Sequence, residues 1–97
     1  MTINKSLEGS ALSIALEGRL DTTTAPELEQ EIKALDGVET LTMDFAGLDY
    51  ISSAGLRVLL SAQKQMSKRG GMKVVNVSEL VMEVFEVTGF SDILTIE

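Results

Sequence analysis

Cysteine, histidine and tryptophan are all missing from the 97 residues, and only one proline and four aromatic residues (three Phe, one Tyr) occur. Without cysteine no disulfide forms, so nothing points to an oxidising compartment. Without cysteine or histidine there is no thiolate or imidazole to bind zinc or copper. Neither a Ser-His nor a Cys-His nucleophile pair can be assembled. The acids are too scattered for a calcium loop. No metal, cofactor or catalytic residue is therefore expected, and the chain reads as a non-enzyme.

Positive charge is also scarce. Fifteen acids against eight bases give a net charge of −7. Phosphate backbones are bound by clustered Lys and Arg, so a nucleic-acid partner is not expected. The basic cluster Lys64, Lys68 and Arg69 sits near a helix end, where cations complement the dipole. No apolar run approaches the roughly 18–20 residues that cross a bilayer, so no membrane insertion is expected. The first residues, Met1 to Lys5, lack a signal-peptide apolar region, which makes the cytoplasm the expected location.

What is present is an ordinary globular balance, with 44% hydrophobic and 24% charged residues. The length suits one domain, residues 1–97. Gly and Pro fall between periodic segments as punctuation. Thr2–Leu7 is a weak strand, Glu8-Gly9-Ser10 a turn, and Leu12, Ile14 and Leu16 alternate as a half-buried strand; the pair suggests a hairpin. Thr24-Ala25-Pro26-Glu27 fits a capping box, with Thr24 as N-cap and Pro26 in the first turn. Leu28, Ile32 and Leu35 form the apolar stripe of the helix that follows, and Asp36-Gly37 ends it.

Leu41, Met43 and Phe45 mark a strand over Thr40–Phe45, and Ala46–Ser53 links it to a helix over about Ala54–Ser67. Lys73–Val77 is a Val-rich strand. Ser78 caps a third helix carrying Leu80, Val81, Val84 and Phe85, which stops before Gly89. Ile93–Ile96 is a short last strand. The order β-β-α-β-α-β-α-β gives fold class α/β, a mixed and mostly parallel sheet crossed by helices.

Chemistry concentrates in Asp49-Tyr50-Ile51-Ser52-Ser53-Ala54-Gly55-Leu56-Arg57. Two serines stand where a loop becomes a helix. Either could cap the helix by accepting from free N–H groups. A helix N-terminus also favours negative charge, so a phosphate on Ser53 would be tolerated there. Gly55 leaves the outside approach open, and Asp44 and Asp49 would add negative charge if close. A phosphate would add about −1.5 to −2 charges at pH 7 and repel a partner fitted to neutral serine. Hydrolysis is not expected. The serine-elbow pattern needs Gly where Ile51 stands, and there is no histidine. No P-loop or dinucleotide fingerprint is present. Asp21 and the threonines Thr22, Thr23 and Thr24 read as a turn and helix start, or as a polar contact surface beside Ser53.

Three segments, Leu16–Ala25, Leu41–Leu60 and Lys73–Phe90, together resemble the STAS domain of bacterial anti-sigma factor antagonists. The carriers are Gly18-Arg19-Leu20-Asp21 before a helix, the loop and helix from Tyr50 to Leu60, and Val84-Phe85-Glu86-Val87-Thr88-Gly89-Phe90. The resemblance implies a compact α/β fold and partner switching. In that scheme the unmodified antagonist holds an anti-sigma factor, a serine kinase, and a sigma factor is released for transcription. The kinase phosphorylates a loop serine, and a PP2C-type phosphatase restores binding. That serine falls on Ser53, with Ser52 as the alternative. The implied partner surface is Asp21, Thr22, Thr23, Asp49, Ile51, Ser52, Ser53, Ala54, Gly55, Leu56 and Arg57; Leu56 reads either as an apolar anchor of that surface or, with Leu59, Leu60 and Met66, as part of the helix's buried face. Ser52 stands where the family often has Asp, Ala54 where Ser or Thr is common, and Arg57 where a small residue is usual. A phosphorylation-independent adaptor or scaffold in a transport or signalling assembly is the alternative role.

Overall fold

Side-chain alternation along the central strands decides the architecture. The computed structural model describes residues 1–97. Strands β1 (Thr2–Glu8) and β2 (Ala11–Leu20) form an antiparallel hairpin around Gly9-Ser10. Helix α1 (Ala25–Lys33) crosses to strand β3 (Thr40–Ile51), which is parallel to β2. Helix α2 (Ser53–Met66) crosses to strand β4 (Met72–Val75), parallel to β3, and helix α3 (Glu79–Thr88) follows. The strand order is β1-β2-β3-β4. Parallel crossovers are right-handed. Two of them stepping the same way across a sheet put their helices on one face.

Register confirms the one-sided build. Ile14 pairs with Met43 and Met43 with Val74, and all three are fully buried. Ala15, Asp44 and Val75, one residue on, share the opposite, partly solvated face. Twenty-three buried apolar residues form one cluster between sheet and helices, with no polar side chain among them. Phe45 of β3 and Phe85 of α3 meet there with ring centroids 6.3 Å apart. A tilted aromatic pair of this kind adds about 0.5–1.5 kcal/mol beyond its buried area.

Several local expectations are corrected. The strand expected over Thr40–Phe45 runs on to Ile51, so Ala46–Ile51 is strand and not linker. Two register shifts carry it: Phe45-Ala46 oppose Leu16, and Asp49 is an extra residue between Leu48 and Tyr50. Each such bulge advances the side-chain phase by one. Buried residues accordingly pass from Leu41, Met43 and Phe45 to Leu48 and then Ile51, a spacing that hides the strand from a period-2 reading. The α1 helix stops at Lys33, before Asp36-Gly37. The segment expected as a last strand contributes one bridge, Val74 to Ile96, after a 3₁₀ turn over Phe90–Asp92. Leu80, expected on the buried stripe of α3, is exposed, while Val81 and Phe85 are buried.

Arg69 also departs from its expected dipole role. Its guanidinium donates to the carbonyls of Leu35 and Val38, pinning the α1–β3 connection from the neighbouring turn after α2.

Candidate functional site

The C-terminal ends of β2 and β3 bring the two polar segments together. Leu20 pairs with Ile51, and the Ser52 amide donates to the Leu20 carbonyl at 2.9 Å. Asp21–Thr24 therefore leaves the sheet beside Ser52-Ser53. Thr22, Ala25 and Pro26 on one side and Ala54, Arg57 and Ser61 on the other line a groove of about 330 Å³.

The two serines have different tasks. Ser52 is the N-cap in extended backbone, and its hydroxyl accepts from the Gly55 amide at 3.4 Å. Ser53 is the first helical residue and is exposed. Its hydroxyl forms no hydrogen bond within the chain. An enzyme can reach Ser53 without undoing the cap, whereas modifying Ser52 would remove it. Sequence alone left the two hydroxyls equivalent; the structure separates them, one engaged in the cap and one free.

Gly55 is not an opening to solvent, as expected, but a buried contact. A Cβ there would lie 2.7 Å from Leu20 Cγ and 3.0 Å from Ile51 Cγ1. Glycine lets α2 start directly against the two strand ends. Ile51, Gly55 and Leu56 are all buried, so they support the surface from below and Leu56 is not an exposed anchor. Thr22, Thr23, Asp49, Ser53 and Arg57 are exposed, and Asp21, Ser52 and Ala54 are half-buried. Asp44 sits near the middle of β3, away from the site. Its Oδ1 accepts from the Ala46 amide and the Asn76 side chain and braces the first bulge.

The Asp21 turn replaces the capping box expected at Thr24. The Thr24 side chain caps nothing in α1; its Oγ1 donates to the Arg19 carbonyl at 2.7 Å and accepts from the Asp21 amide at 2.8 Å. The Asp21 carboxylate accepts from the Thr23 hydroxyl at 2.7 Å and from the Thr23 and Thr24 amides at 3.0 and 3.2 Å. The Thr23 hydroxyl, ahead of the amides, holds the Asp21 carboxyl below the usual aspartate range. Arg19, which sequence reasoning placed in a motif but not in the site, lies 4.2 Å over the Tyr50 ring and 3.6 Å from Asp21 Oδ2. It links the two segments through a cation–π contact and an exposed ion pair.

The family model described as Mlab, STAS domain matches residues 3–95. BtrV of Bordetella bronchiseptica, named as an anti-sigma factor antagonist, is 35% identical over 99% of this chain and 84% of its own length. The anti-sigma-B factor antagonist of Bacillus subtilis is 31% identical over 88% of this chain and 80% of its own. Among solved structures, an anti-sigma factor antagonist from Mycobacterium paratuberculosis superposes with a TM-score of 0.88 at 25% identity, covering 98% of this chain and 83% of that one. SpoIIAA in its unphosphorylated form shares the fold, with a TM-score of 0.84 at 20% identity over 99% of this chain and 88% of that one. The chain belongs to the STAS-domain family.

Proposed function

We propose that this chain is a non-catalytic anti-sigma factor antagonist that binds its anti-sigma factor through the rim around Ser53 and loses it when Ser53 is phosphorylated. The binding role rests on relatives named as antagonists that cover most of the chain. The switch rests on one observation: an exposed serine with a free hydroxyl stands at the first position of α2, beside a separate serine that keeps the cap. A phosphate there meets unpaired amides and the positive end of the helix, so folding is spared. The same phosphate adds about −1.5 to −2 charges to a docking rim that already carries Asp21 and Asp49. A partner fitted to a neutral hydroxyl meets repulsion and desolvation. The anti-sigma factor acts as the serine kinase, a PP2C-type phosphatase reverses the step, and the exchange takes place in the cytoplasm.

The test is phosphopeptide mass spectrometry of the chain from its native cells, paired with affinity measurements on the co-purified anti-sigma factor. Phosphate is expected on Ser53 and not on Ser52. Ser53→Ala should keep binding and Ser53→Asp should weaken it at least tenfold. Full binding by Ser53→Asp, with no phosphoserine in any growth condition, overturns the switch.

A further inference from the structure

Charge is distributed unevenly over the helices. Helix α2 contains no Asp or Glu, although the chain has fifteen acids. Glutamates stand in the first turn of α1 and α3, but α2 has no acid there. The cations show the same bias. Lys5, Arg19, Lys33 and Lys73 each lie within 4 Å of a carboxylate, and Arg69 is held by two carbonyls. Arg57, Lys64 and Lys68 remain, all exposed and in no ion pair within 4 Å, although Glu29 of α1 lines the groove on the other side of Arg57. They share one groove of about 330 Å³ with Leu60, Ser61 and Gln65. The helix dipole accounts for Lys64 and Lys68 at the C-terminal end, but not for Arg57 near the N-terminal end.

We infer that Arg57, Lys64 and Lys68 form a docking ridge along α2 for an acidic face of a protein partner. The ridge begins one turn after Ser53 and follows a helix that rises about 1.5 Å per residue, which separates Arg57 from Lys64 by roughly 10 Å. That spacing suits carboxylates on a folded partner. A nucleic acid or an anionic membrane would need a broad basic field, and here three cations stand on a chain of net charge −7. Complementary charge of this kind acts mainly on the rate of encounter. The identity of the partner as an anti-sigma factor rests on the function proposed above; the ridge and its preference for acidic protein do not.

Two measurements on the full chain separate these ideas. In the first, the isotopically labelled chain is titrated at low salt with a poly-L-glutamate of about twenty residues, a duplex DNA of similar charge and phosphatidylserine vesicles. Amide shifts confined to α2 are expected with poly-glutamate. They should be lost in Arg57→Gln/Lys64→Gln/Lys68→Gln, whose exposed positions leave the fold intact, and retained in Lys5→Gln/Lys33→Gln/Lys73→Gln. No response to poly-glutamate, or a stronger response to DNA or vesicles, overturns the ridge whatever the anti-sigma factor does. In the second, association with the co-purified anti-sigma factor is timed. The ridge variant should associate about 10-fold more slowly at low salt and lose most of its salt dependence. An unchanged rate in that variant overturns the ridge while leaving the antagonist role standing.

Discussion

Helices α2 and α3 begin alike and are charged differently. Each follows a parallel strand, and each is capped by a serine whose hydroxyl accepts from the amide three residues on: Ser52 from Gly55 at 3.4 Å, Ser78 from Val81 at 3.3 Å. After the cap they part. α3 opens with Glu79, whose carboxylate already offsets the positive end of the helix, and plants Val81 and Phe85 in the core. α2 opens with an exposed serine and puts glycine where α3 has Val81. One helix start is electrostatically complete, and the other is left open to an added anion. A serine before a helix is therefore no sign of a switch by itself. The switch proposed at Ser53 rests on a second serine that performs the capping and on the absence of a resident acid.

The comparison can be broken hardest on the α3 side. Phe85→Ala removes one ring of the buried pair, and an unfolding titration in urea should show a loss of about 3–5 kcal/mol. Next is the packing difference at the third helical position. Gly55→Val should cost about 1–3 kcal/mol, because its side chain would collide with Leu20 and Ile51. A neutral result there would mean that α2 is free to shift. The shared cap is the third point: Ser52→Ala and Ser78→Ala should each lose about 1 kcal/mol in thermal unfolding, and by similar amounts.

The charge difference sharpens the comparison with smaller effects of opposite sign. Ser53→Asp should stabilise the chain by about 0.3–1 kcal/mol at low salt, and Glu79→Gln should destabilise it by a similar amount. Last is the turn beside Ser53. Its Asp21 carboxyl is held low by Thr23, so a carbon-detected NMR titration should place its midpoint below the ordinary aspartate value. A lowered folded value means that the carboxylate's support is present at neutral pH and is lost as pH falls through that midpoint. Thr23→Val should move the midpoint back up.

The sequence carried the fold because alternation and helical spacing were clean where packing is simple. Leu12, Ile14 and Leu16, and then Leu41, Met43 and Phe45, read directly as strands facing one core. Legibility failed where tertiary contacts reset the pattern. Two extra residues in β3 broke its period, so its last six residues looked like a loop. Thr24-Ala25-Pro26-Glu27 has the letters of a capping box, yet the Thr24 hydroxyl is turned back to the Arg19 carbonyl and the Asp21 amide, and the Glu27 amide donates to the Thr24 carbonyl instead. Ser53 could be named from its place before a helix. Its separation from Ser52 needed the backbone, and the inward direction of Gly55 needed the neighbouring strand. Arg19 joins the site only through the end of β3, which no local pattern announced.

Those two bulges have a consequence for length. Each extra residue is absorbed by its bulge, so Leu48 and Ile51 still face the core opposite Gly18 and Leu20. Deleting Ala46 or Asp49 would close that bulge into plain alternation and keep Ile51 inward, seated against Gly55. β3 uses twelve residues, Thr40–Ile51, on a path that ten residues of β2 cover. A one-residue loss at either point would therefore be silent for which side Ser53 faces and would alter only the local coiling of the sheet edge beneath it.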